Sequence, residues 1–421
     1  VGEAGASPAA GSLLYDYFSP KVRTTVLGFY GAGVYLGAGI GLFLGGSILS
    51  AWSNAWPDPS LAPFGLKGWQ AAFMAVGLPG LLLALLINTL KEPVRGQAEN
   101  RETGNRVKPV TERPAVHPLR TLLLEMLPMC PGVNLWLLRQ EGASVRAQLL
   151  NLGVGSAIVL CAVLLTQVSG EALQWIALGI GLYCVFSWAQ VLLSRDPVCF
   201  GMIFQCRTVR YLYLYIGLQS FSGAAVGFWM IPWFQRYLGV SALEVGTMVG
   251  LIFAGAGLIG MVGGGLLADW LRKHTQRGKL YVVLGSVVIG LLATFSMLSS
   301  DEALTAYVFA FVMILVGTLG AAPAATTVND LMIPRTRAIG QALRILVMNF
   351  MGAALGPYAV GVLSDVIAST GVVSGEALRS AMLVSLVVTG ISLLFLLLAI
   401  KHIAVDEDTR LDRARALGEE I

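Results

Sequence analysis

Apolar positions along this chain gather into long runs, and the charged positions gather between them. From Thr24 onward ten stretches of 20 or more residues carry no charge. They are Thr24 to Pro57, Trp69 to Leu90, Ala147 to Gly170, Ala172 to Ser194, Tyr211 to Gln235, Val245 to Ala268, Leu280 to Ser300, Ala303 to Asn329, Ile345 to Ser364 and Ser380 to Ile400. At about 1.5 Å rise per residue each is long enough to cross a hydrocarbon core about 30 Å thick. Lipid cannot satisfy free peptide groups, so runs of this length are helices; a membrane barrel would show strands of about ten residues with alternating polarity. The pattern predicts an all-α polytopic membrane protein. Composition agrees, with 56% hydrophobic and 12% charged residues against about 25% charged in soluble domains.

Placing successive loops on alternate sides puts all but three of the 28 Lys and Arg on one side, the exceptions being Lys67, Arg236 and Arg379. Short loops rich in Lys and Arg stay cytoplasmic, which predicts a cytoplasmic C-terminus and an inner (plasma) membrane location. The net charge of +4 therefore reports topology and implies no nucleic-acid partner. The five cysteines lie in membrane runs or cytoplasmic segments without CxxC spacing and read as reduced and structural.

A short polar pattern is written twice. "DYFSPKVR" at Asp16 to Arg23 returns as "DLMIPRTR" at Asp330 to Arg337, both of the form DxxxPxxR. The glycines that follow also match: with one residue inserted in the second copy, Gly37, Gly41 and Gly46 fall on Gly352, Gly356 and Gly361. Self-similarity of this kind marks transporter halves related by an axis along the membrane normal. The second copy joins the fourth and fifth helices of the bundle that begins near Tyr211, whereas only the uncharged stub Ala4 to Tyr15 precedes the first. The expectation is an N-terminally truncated chain lacking about three and a half helices of a fourteen-helix parent. Its parts are 1–92, the remainder of an N-terminal bundle (helices four to six), and 93–146, a cytoplasmic linker. After these come 147–194, two inserted transmembrane helices; 195–403, a C-terminal six-helix bundle; and 404–421, a cytoplasmic tail. Within the linker, "LRTLLLEML" and "VNLWLLRQ" carry leucines at helical spacing and suit short amphipathic helices in the interface.

The polar residues suggest chemistry. In each DxxxPxxR the acid closes a helix, the proline ends it and the arginine opens the next, which sets both charges at the junction of bundle and cytosol. Such contacts form in one state and break in another, so Asp16, Arg23, Asp330 and Arg337 are latch candidates; helix capping and the positive-inside rule are the plainer reading. Glu3 is a carboxylate inside a spanning run, 13 residues or about 20 Å from Asp16. A carboxylate at that depth generally faces a cavity and marks a proton or substrate route, which makes Glu3 the proton-coupling candidate; a structural hydrogen bond is the alternative. Arg344 either snorkels outward or faces a cavity and holds an anionic headgroup. Gln219 and Trp229, with Asn349, are candidates for the lining of a substrate cavity with apolar walls and a few polar anchors. "GAGLIG" at Gly255 to Gly260 fits GxGxxG literally but lies inside a spanning helix, where it serves packing and not a nucleotide. Gly37, Gly41 and Gly45, with Gly352 and Gly356, are expected to let helix backbones approach closely. No Walker motif, HExxH or GxSxG occurs. No cofactor, metal or enzymatic activity is expected.

These residues resemble the major facilitator superfamily of secondary transporters, most closely its Spinster-like branch. "VGEAGASPAAGSLLYDYFSPKVRTTVLGFY" is similar to that branch's fourth helix and following loop, and "WQAAFMAVGLPGLLLALLINTLKEPVRG" to its sixth. "GGGLLADWLRKH" at Gly263 to His274 resembles motif A, with Trp270 where a basic residue is usual and without the later glycine. The resemblance implies two helical bundles working by alternating access and a latch that includes Asp269 and Arg272. It implies a monomer in the lipid bilayer, a small-molecule or lipid-like substrate such as a lysolipid or sphingoid phosphate, and protons or another coupling ion. Drugs or organic acids are the alternative cargo. A membrane sensor or enzyme on a transporter scaffold is the rival from a different class.

Overall fold

A computed structural model of the chain describes residues 2–87, 89, 127, 130, 132–140 and 142–419. The described residues form helices and turns only. The helices are α1 (Gly2–Tyr17), α2 (Arg23–Ala55), α3 (Gly68–Ile87), α4 (Val133–Gln140), α5 (Val145–Ser169) and α6 (Ala172–Arg195). They continue as α7 (Arg207–Arg236), α8 (Ala242–Arg272), α9 (Gly278–Leu298), α10 (Ala303–Asp330), α11 (Arg337–Val347), α12 (Gly356–Ser369), α13 (Ser374–Asp408) and α14 (Arg410–Ala416). Each of the ten uncharged runs coincides with one helix, except that Ile345 to Ser364 spans the end of α11, a π-helical segment at Met348–Leu355 and most of α12. Among the described residues nine helices are long and apolar enough to cross a membrane, and α2, with 33 residues, covers the remaining run.

Helices α7 to α13 pack into one bundle with two apolar cores. The core at the basic end gathers Tyr213, Leu280, Val328 and Ile400, and the core at the other end gathers Trp233, Phe234, Met297 and Ala381. Glycine makes the crossing of α8 on α10 close: a Cβ at Gly264 would lie 2.0 Å from the Leu319 carbonyl oxygen and one at Gly260 2.2 Å from that of Leu315. Packing is thus the role of the GAGLIG stretch. Helix α2 crosses α8 in the same way, with a Cβ at Gly28 brought within 2.5 Å of the Met261 carbonyl oxygen. The repeated glycines behave differently in the two copies. Gly352 and Gly356 lie against the α7 backbone at Ser220 and Phe221, whereas nothing lies within 4 Å of a Cβ at Gly37, Gly41 or Gly45 among the described residues.

The segment "VNLWLLRQ" forms α4, but it is not laid flat in an interface. Asn134, Leu137 and Leu138 are buried against α5 and α6. The Asn134 amide donates to Asn151 Oδ1 (3.2 Å), Tyr183 Oη (2.8 Å) and Ser187 Oγ (2.5 Å), and Asn151 donates to Gln190 Oε1 (2.7 Å). "LRTLLLEML" lies outside the described residues apart from Leu127. The C-terminal residues fold back onto the bundle: Arg335 pairs with Asp196 at 2.5 Å and with Glu419 at 2.6 Å, and Leu417 lies against Gly201. All five cysteines are free thiols, and burial pushes that of Cys206 up to about 11.

Candidate functional site

At the basic ends of the helices the two copies of DxxxPxxR meet around one tyrosine. Tyr15, fully buried at the end of α1, lies between two guanidinium groups, Arg23 at 4.6 Å and Arg337 at 4.9 Å from its ring centroid. These are the arginines of the first and the second copy. Its hydroxyl donates to the Thr326 carbonyl (2.8 Å) and to Asp330 Oδ1 (3.3 Å), both on α10. Arg23 also closes α1, because Nη2 donates to the Tyr15 carbonyl (2.8 Å) and Nε to that of Phe18 (3.2 Å), groups that a helix end leaves unpaired. Capping and latch are therefore one arrangement. The sequence marked the acids and arginines of the motif; the tyrosine just before the first acid is what joins them.

Asp330 binds on two sides. Its Oδ2 takes a 2.6 Å ion pair from Lys279 of α9, and Arg410 donates to its backbone carbonyl at 2.7 Å. A second contact between the halves runs through motif A. Asp269 Oδ2 accepts from the Thr25 backbone N–H (2.8 Å) and hydroxyl (2.7 Å), so a carboxylate of α8 caps the first turn of α2 and complements its dipole. Asp406 serves α7 likewise, accepting from the N–H (2.8 Å) and hydroxyl (2.6 Å) of Thr208. Arg272 does not join the halves. It holds Glu407 at the end of α13 in a paired contact, with Nη1 to Oε2 at 2.8 Å, because α13 runs on past the membrane run and brings that glutamate beneath α8.

Between the two apolar cores lies a cavity of about 480 Å³. Its walls come from α2 (Tyr35), α7 (Tyr215, Gln219), α8 (Phe253), α9 (Val287, Leu291), α10 (Met313, Thr318), α13 (Leu386, Thr389) and the π segment (Met348, Asn349, Gly352). Among the described residues lining it, Arg344 alone is charged. Its Nε donates to Gln341 Oε1 (2.6 Å) and its Nη1 lies 2.9 Å from Met348 Sδ; no salt bridge involves it among the described residues. Gln219 Oε1 accepts from Ser392 at 3.2 Å, which turns its amide into the bundle.

A cavity enclosed by helices of both halves, sealed at one end by a duplicated motif, is a transporter's arrangement, and the family profile described as Major Facilitator Superfamily matches residues 1–343. The chain belongs to the Major Facilitator Superfamily. That family comprises transporters and not enzymes. A relative described as an MFS-type efflux pump of Mycolicibacterium smegmatis (strain ATCC 700084 / mc(2)155) is 30% identical over 149 residues, 35% of this chain. The matched stretch spans about a third (34%) of that relative's length. Two crystal structures of a bacterial homolog of the human lysosomal transporter Spinster, inward-facing and either occupied or unoccupied, are 18% identical. They have TM-scores of 0.45 and 0.44 and cover 98% of this chain and 76% of theirs.

In this Major Facilitator Superfamily chain three of the predicted cavity residues, Gln219, Arg344 and Asn349, line one space. Trp229 does not. Its indole N–H donates to the Pro357 carbonyl at 2.7 Å, and its ring fills the space beside Gly361, so it ties α7 to α12. A carbonyl is accessible there because Pro357 sits in the first turn after the π segment. Glu3 belongs to α1, but its side chain lies outside the described residues. Tyr35, Phe253, Met313 and Thr389 were not singled out from the sequence, since aliphatic and aromatic residues in a spanning run look the same whether they face lipid, core or cavity.

Proposed function

We propose that this chain works as a secondary transporter of the Spinster-like kind, moving an organic amphiphile by alternating access. The observation that carries the reading is the cavity: apolar over most of its wall, with Arg344 as its charged lining residue and no carboxylate paired to that guanidinium among the described residues. An apolar wall suits an acyl or aromatic portion, and an arginine offers planar, charge-assisted hydrogen bonds to a phosphate or carboxylate head. The knot around Tyr15 supports a state in which the cytoplasmic side is closed and the cavity awaits access from the other side of an inner membrane. The test is binding by the purified protein of a dodecyl phosphate, compared with dodecyl maltoside of equal chain length. Arg344→Gln is expected to weaken binding of the phosphate by about 10- to 100-fold, the equivalent of a charge-assisted hydrogen bond of about 1.5–3 kcal/mol, and to leave the maltoside unaffected. Equal loss for both ligands would remove Arg344 from the headgroup site. The efflux-pump relative favours a second reading, export of drugs or organic acids through the same cavity.

Coupling to protons is assigned to Glu3, which sits in α1 about 20 Å from the cytoplasmic helix end. Glu3→Gln keeps size and hydrogen-bonding capacity but fixes the neutral state. In proteoliposomes it is expected to abolish accumulation driven by a pH gradient while sparing downhill exchange. Uphill uptake that persists in Glu3→Gln with its pH dependence intact would place the coupling group elsewhere.

A further inference from the structure

The inserted module α4–α6 has no role in the reading above, yet it touches the bundle at the one place where the cavity wall departs from α-helix. The π segment Met348–Leu355 presents Met348, Asn349, Gly352 and Ala353 to the cavity. Between them, Phe350 turns to the outside, and its ring fills the notch left by Gly181 of α6; a Cβ at residue 181 would come within 2.1 Å of Phe350 Cζ. Two turns further on, Trp175 of α6 meets Tyr358 of α12 edge-on, with ring centroids 5.4 Å apart.

We propose that α6 is a wedge that holds the π register of residues 348–355, and that through it the inserted module sets which side chains line the cavity. A π turn closes i→i+5 bonds, is rare, and persists where its surroundings fix it. Returning this one to α-helix would shift the register by a residue and turn the side chains on one side of it by about 100°, relative to those on the other. Phe350 would leave the Gly181 notch and Asn349 would leave the cavity in the same movement. Seating of the ring and lining of the cavity are therefore coupled, and the coupling acts in both directions.

Two further observations support a movable wedge. The module is a body of its own: the Asn134 clasp joins α4 to α5 and α6, and Tyr183 both donates to Asn151 (2.7 Å) and packs on Gly155. Its outer contact with the bundle is also imperfect, since Gln174 Nε2 and Tyr358 Oη are buried there without a hydrogen-bond partner. Unpaired buried groups raise the energy of the arrangement that contains them, which leaves a second seating of α6 within reach.

The experiment reads side-chain accessibility in nanodiscs and not transport, so it does not depend on what the protein carries. With exposed Cys130 and Cys161 replaced by serine, Asn349→Cys reports the π segment and Met313→Cys, on α10, reports a wall the module does not touch. Gly181→Leu fills the notch, and Phe350→Ala empties it. Each is expected to change the labelling rate of Cys at 349 by a membrane-impermeant thiosulfonate at least about fivefold, the lower end of allosteric couplings, with less than about a twofold change at 313. Unchanged rates at 349, or parallel changes at both positions, would overturn the proposal. If Gly181→Leu fails to fold, Gly181→Ala, which still drives a methyl into the ring, replaces it under the same two criteria.

Discussion

Tyr15→Ala is expected to unlock the basic side of the protein and to be among the most destabilising single changes in the chain. The residue is fully buried, and its ring separates two guanidinium groups that would otherwise face each other directly. Truncating a buried aromatic costs about 3–5 kcal/mol through lost transfer energy and the cavity left behind. Here two cation–π contacts, each worth about 0.5–2 kcal/mol, are lost as well. The cost falls on the closed state, because Tyr15 stands on α1 while Arg337, Thr326 and Asp330 belong to the other half. Tyr15→Phe keeps the ring and loses only the hydroxyl's bonds, at about 0.5–1.5 kcal/mol. Thermal unfolding and cytoplasmic labelling of Asn349→Cys should therefore rank wild type, Phe and Ala in that order. Equal effects of Phe and Ala would show that the hydroxyl, and not the stacked ring, makes the latch.

Asp330→Asn is the second large effect. Its partner Lys279 has a side chain only 4% exposed, so neutralising the acid strands an ammonium group that cannot reach water without displacing the end of α10. Breaking a buried pair from one side costs about 3–5 kcal/mol, whereas replacing both members by apolar groups of similar volume is often neutral. Lys279→Met with Asp330→Asn should thus recover much of the stability lost in Asp330→Asn alone. Asp412→Asn, which removes an exposed i,i+3 partner of Arg415, should stay within about 0.5 kcal/mol of wild type by thermal unfolding. The pair would be irrelevant to the fold if Asp330→Asn were as mild as Asp412→Asn.

The repeat shows where reading a sequence ends. Matching the two copies required one extra residue in the second, somewhere between Arg337 and Gly352. The structure places the π segment at that interval, since an i→i+5 turn absorbs one residue more than an α turn while the helix continues in the same direction. The insertion was visible; that it widens the helix against the cavity, with Phe350 on the far side against α6, was not. The same holds for the motif charges. Spacing put Asp16, Arg23, Asp330 and Arg337 at one membrane face, but the partners that define their roles come from Tyr15, Thr326 and Lys279. Arg272 was expected to help join the halves and instead secures α13, because its partner Glu407 lies in a helix whose extension beyond the membrane run no hydropathy pattern records.

The sequence by itself determined the spanning helices, the two related halves and the inserted pair, because lipid imposes length, lack of charge and internal hydrogen bonding on each segment separately. Those demands are local and leave their mark residue by residue. Only the tertiary structure decided which uncharged side chains face the cavity, how Tyr15 seats between the two repeated arginines, and where α6 meets the π segment. In a membrane an apolar helix looks much the same on its lipid, core and cavity faces, so a face acquires its meaning from the helix packed against it.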